Sequence, residues 1–63
     1  MNSAQILAKA WYYAKAKRRI EVTRLIANAT VKRESFGLDG DERLHLKDGS
    51  TLLFRKLVNE YVC

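Results

Sequence analysis

The sequence predicts a small α+β fold: an N-terminal helix, a small antiparallel sheet with a β-hairpin, and a short C-terminal helix, with an all-α arrangement as the alternative. Three observations predict it. Apolar residues recur at helical spacing near the N-terminus, an Asp-Gly pair sits between two apolar-containing runs in the second half, and helical spacing returns at the end.

Residues 3–17 read as the first helix. Ser3 is the expected N-cap, and Ile6, Leu7, Ala10, Trp11 and Ala14 keep the i, i+3, i+4, i+7 spacing of one stripe. Alanine at positions 4, 8, 10, 14 and 16 adds propensity. Lys17 interrupts the stripe, so the helix is expected to end there, with its basic residues suited to the negative end of the dipole. On a helical wheel Tyr13 joins the apolar face with Trp11, whereas Lys9, Tyr12, Lys15 and Arg19 share the opposite one.

Residues 20–33, IEVTRLIANATVKR, fit either element. Val22, Leu25, Ile26 and Ala29 keep helical spacing, while Ile, Val and Thr content and the alternation of Leu25, Ala27, Ala29 and Val31 favour a strand. The strand is the expectation. FGLDGDE is a loop, and RLHL and TLLF flank KDGS as a hairpin closed by a two-residue type I′ turn at Asp48-Gly49. That pairing places Leu44, Leu46, Thr51 and Leu53 on one face, and Arg43, His45, Leu52 and Phe54 on the other. Leu57, Val58, Tyr61 and Val62 then suit a terminal helix after Phe54. With no repeat and no linker, residues 1–63 read as one domain.

A chain of 63 residues makes only a small core. Its one cysteine, Cys63, allows neither an internal disulfide nor a cysteine zinc site, so self-association as a homodimer is the remaining support. The single thiol points to the cytoplasm, and no apolar run is long enough for a membrane. The sequon NAT at 28–30 is discounted because no secretory signal is legible.

Charge is the strongest functional signal. Up to residue 33, eight basic residues face Glu21 alone, a balance of +7; beyond it four basic residues face six acids, a balance of −2. Such asymmetry favours an anionic partner on the N-terminal part. The expected function is a non-enzymatic nucleic-acid-binding regulator or accessory factor. It would contact phosphates through Lys9, Tyr12, Lys15, Lys17, Arg18 and Arg19, helped by Lys32 and Arg33. The plainer reading of the same residues is a solvated helix face. DNA and RNA are not distinguished, since no zinc-finger, RNP or KH pattern is present.

The alternative is a protein-binding adaptor or inhibitor, docking on an acidic surface or through Leu57, Val58 and Tyr61. Catalysis lacks support. His45 is the only histidine and reads as a half-exposed sheet residue, and Asp39, Asp41 and Glu42 read as a solvated loop rather than a Mg²⁺ site. No enzyme activity, metal or cofactor is expected.

Overall fold

Helix α1 (Ser3–Tyr13) begins one residue earlier than the sequence suggests, because Asn2 rather than Ser3 is its N-cap. The Asn2 side chain accepts from the Gln5 N–H, and the Gln5 side chain accepts from the Asn2 N–H, a reciprocal capping box. The computed structural model describes residues 1–63, apart from the side chain of Phe36.

The remaining N-terminal donors of α1 are met from a distant part of the chain. Asp48 accepts from the Ser3 N–H at 2.8 Å and the Ser50 hydroxyl accepts from the Ala4 N–H at 3.1 Å. Asp48 also accepts from the Ser50 N–H and hydroxyl. The bond from the Ser50 hydroxyl, followed by that from the Ser3 N–H, holds the Asp48 carboxyl well below the usual carboxylate range. A carboxylate depressed in the folded state contributes stability that is complete above the unfolded-chain value, about 3.9, and is lost as pH falls toward the lower folded value. The urea midpoint is therefore expected to fall on acidification below about pH 4. In the Asp48→Asn variant that fall should be shallower, from a lower neutral-pH starting point; an unchanged profile would mean that Asp48 does not hold the helix.

Helix α1 stops at Tyr13, short of the expected residue 17, because Ala14 and Lys15 are both extended, and α2 (Ala16–Ala29) then turns back. A single helix from 3 to 29 would run about 40 Å, beyond the 29 Å longest dimension of the molecule. Breaking it lets both helices cover one sheet.

Residues 20–29 are helix, which corrects the expected strand; only 30–33 of that segment are extended. Val22 and Ile26 are buried and Ala29 packs beside them, so the 3.6-residue period outweighs the modest cost of β-branched residues in a helix. At the C-terminal end the Thr30 hydroxyl donates to the Ile26 carbonyl at 2.7 Å, and the chain passes straight into strand β1 (Thr30–Phe36).

Strands β2 (Asp41–Leu46), β3 (Thr51–Arg55) and β4 (Glu60–Val62) complete an antiparallel sheet in the order β1-β2-β3-β4. The β2–β3 hairpin exists, but its loop has three residues instead of two. Leu46 and Ser50 close it through the bond from the Leu46 N–H to the Ser50 carbonyl, and Gly49 sits at φ 89°, where a side chain would be strained. The extra residue shifts the register by one. Leu44 faces Leu52, so Leu44, Leu46 and Leu52 point together into the core, and Arg43, Leu53, His45 and Thr51 take the open face.

The expected C-terminal helix is absent. Residues 56–59 form a turn with Asn59 at φ 51°, and β4 returns beside β3 with Tyr61 opposite Phe54. A helix of the eight or so residues left after Phe54 would be marginal alone, whereas β4 places the Tyr61 ring edge-on to Trp11 at 5.6 Å and against Phe54 at 4.9 Å.

The core lies between the two helices and one face of the sheet: Ala4 and Trp11 from α1, Val22 and Ile26 from α2, Leu44, Leu46 and Leu52 from the sheet. The buried stripe of α1 is thus Ala4, Leu7, Ala8 and Trp11, with the small residues bringing the helix close to the sheet. Ile6 and Tyr13, expected inside, are 53% and 75% exposed.

Candidate nucleic-acid interface

Folding sorts the charge by layer. The helical part, residues 1–29, carries six basic residues against Glu21, a balance of +5, and the sheet part, residues 30–63, carries six basic and six acidic residues and is neutral. The whole net charge of +5 therefore belongs to the helices.

Lys9 lies on the outer side of α1, and Lys15, Lys17, Arg18 and Arg24 are exposed on α2 or at its start. Among the described residues none of these five makes an ion pair or side-chain hydrogen bond. Lys17 and Arg24 are seven residues apart and share a helix face.

The start of α2 contrasts with that of α1. Its N-cap is Lys15, whose side chain caps nothing, and its first turn holds Lys17, Arg18 and Arg19 with no acid. Cations at the positive end of a helix dipole oppose folding. The same chain that satisfies α1 with Asn2, Asp48 and Ser50 leaves α2 without a side-chain cap, under a cluster of positive charge.

Two shallow grooves border this region and meet at Tyr13. One, between α1 and β4, is lined by Gln5, Lys9, Tyr12, Tyr13 and Val62; the other, around the break between the helices, by Tyr13, Lys15, Lys17 and Arg18. Neither is lined by Asp or Glu. Tyr12 and Tyr13 are 68% and 75% exposed, and their rings meet edge to face at 5.2 Å.

The structure gathers Lys9, Tyr12, Lys15, Lys17 and Arg18 from the expected set and separates the other three. Arg19 serves the fold: its Nε and Nη2 donate to the Trp11 and Tyr12 carbonyls at 3.1 and 3.3 Å, and its guanidinium lies 4.1 Å from the Trp11 ring centre. Lys32 is on the open face of the sheet, opposite His45. Arg33 points to the helix side of β1, at a groove shared with Glu42 and Tyr61. Tyr61 is half-buried between Trp11 and Phe54, away from the exposed surface expected for it, while Leu57 and Val58 are exposed in the β3–β4 turn.

The expected set leaves out Tyr13 and Arg24, which are both exposed on the two helices. A face drawn through Ile6, Leu7, Ala10, Trp11 and Ala14 takes Tyr13 inward, whereas the face that the fold buries, through Ala4, Ala8 and Trp11, turns it outward.

The open sheet face is chemically different. Glu34 lies opposite Arg43, and Glu60 opposite Arg55, so acid and base alternate across strands. His45 hydrogen-bonds Glu34, and that bond, with the nearby Lys32 and Arg43 charges, holds the Glu34 carboxyl below its usual range despite slight burial. His45 is a half-buried sheet residue engaged with a carboxylate, and among the described residues no group of three or more His, Cys, Asp or Glu is arranged for a metal.

No protein-family model, curated protein or solved structure matches this chain.

Proposed function

We propose that this protein is a small, non-enzymatic nucleic-acid-binding module, a regulator or accessory factor that holds phosphates on the outer side of its helical hairpin. The observation that carries the reading is the segregation of charge. The helices hold all of the +5, among the described residues no acid pairs with their cations, and the sheet balances its own charges across strands. Lys9, Lys15, Lys17, Arg18 and Arg24 would displace condensed counterions from a phosphate backbone, which makes affinity fall steeply with salt. The exposed Cys63 suits a reducing compartment, and we place the protein in the cytoplasm. Among the described residues no helix is long and apolar enough to cross a membrane.

Titration of the protein into labelled oligonucleotides across a salt series tests the reading. The expected result is binding at low salt that weakens with a log–log slope of about −0.7 to −0.9 per phosphate neutralised. No binding at low salt would remove it.

A second reading, a protein-binding adaptor or a homodimer, is favoured by the exposure of Leu57, Val58 and Ile20 on the side of α2 near the β3–β4 turn. Sedimentation separates the two: Leu57→Ser with Val58→Ser should leave nucleic-acid affinity unchanged and abolish any self-association through this patch.

A further inference from the structure

The proposal above names a phosphate polymer; the geometry around Tyr13 points to its form. We infer that the nucleic acid held here is single-stranded, with unpaired bases stacked on the rings of Tyr12 and Tyr13 while the phosphates follow the two grooves that meet there. This rests on the phosphate-binding reading.

Three observations carry it. Tyr12 and Tyr13 contribute little to the core, since they are 68% and 75% exposed and the neighbouring Trp11 fills the interior. Two adjacent exposed rings form a patch of the kind that a ligand covers. Next, the rings stand at 90° to each other, so their open faces point in different directions. Bases in a duplex are parallel and have both faces occupied by their neighbours, whereas the bases of a single strand can splay onto two divergent platforms. Finally, cations lie on both sides of the rings, with Lys9 in one groove and Lys15, Lys17 and Arg18 in the other, and no Asp or Glu lines either. A positive track interrupted by aromatic platforms is the general form of a single-strand surface, in which stacking tolerates any base because every base has a π-face.

Fluorescence anisotropy with a labelled oligo-dT of about 12 nucleotides and a duplex of equal length, at one low salt concentration, tests the inference. The wild-type protein should bind the single strand more tightly than the duplex. Tyr12→Ala with Tyr13→Ala should weaken single-strand binding by about 10- to 100-fold and duplex binding by much less. Tyr12→Phe with Tyr13→Phe should retain most of the single-strand affinity, because stacking needs the ring and not the hydroxyl. Both rings are exposed, and an unchanged circular dichroism spectrum verifies the fold of each variant. Equal or tighter binding to the duplex, or an alanine variant that binds like wild type, would overturn the inference while the phosphate-binding reading stands. Failure of the wild type to bind either probe would overturn both.

Discussion

Replacing Trp11 with alanine is expected to cost about 3–5 kcal/mol and to leave most of the chain unfolded at room temperature. A core of this size rarely supplies more than about 3–5 kcal/mol of net stability, so one such loss is decisive. Trp11 joins three elements: its ring packs edge-on against Tyr61 of β4 and carries the Arg19 guanidinium of α2, and its carbonyl accepts from Arg19 and from the Ala14 N–H that ends α1. Removing the ring opens the seam between both helices and the sheet edge. Urea unfolding followed by far-ultraviolet circular dichroism measures the loss. A cost below about 1 kcal/mol, the size expected of a surface change, would show that the helical hairpin is held elsewhere.

The combined substitution Lys15→Asp, Lys17→Glu and Arg18→Glu is expected to act in opposite directions on the fold and on its ligand. An Asp at the N-cap and two acids in the first turn satisfy orphan donors and suit the dipole, for a gain of about 1–2 kcal/mol. For a domain this small that raises the melting temperature by roughly 5–15 °C. On the proposed function the same change removes three phosphate contacts and adds three repulsive charges, so affinity for an oligonucleotide should fall at least about 100-fold at moderate salt. The capping rule kept at the start of α1 is broken at the start of α2, which on the proposed function is where folding and binding make different demands. Thermal melting and anisotropy on one preparation read both effects. A destabilised variant, or one that binds as before, would contradict this account of α2.

The α+β class, the β2–β3 hairpin and the excess of cations in the N-terminal half were legible in the sequence because each rests on a strong local signal: an alternating pattern around Asp-Gly, and a run of cations almost free of acids. What escaped were junctions without punctuation. Ala14 and Lys15 break a helix with neither glycine nor proline, and Ala29 hands over to Thr30 with no turn at all. Both breaks are imposed by tertiary packing of Trp11, Val22 and Ile26 against one sheet, which a window of ten residues does not contain. The hairpin register slipped because Gly49 accommodates a three-residue loop as readily as a two-residue one. The terminal helix failed for a related reason. Leu57, Val58 and Tyr61 have helical spacing, but the Trp11 and Phe54 rings that capture Tyr61 lie far from it along the chain or on the facing strand.

The same limits shaped the site. Cations were recognisable as a group, yet which of them were available to a ligand depended on the fold. Arg19 turned inward to hold Trp11 and Tyr12, Lys32 went to the opposite surface, and Tyr13 turned outward.

The proposed function rests on phosphates held by Lys15, Lys17 and Arg18. Its most direct test is the salt dependence of single-strand binding by the wild-type protein and by the Lys15→Ala, Lys17→Ala, Arg18→Ala variant. The log–log slope is expected to become shallower by about 2, near 0.7 for each lost contact. An unchanged slope with unchanged affinity would contradict it and place the phosphates elsewhere on the molecule.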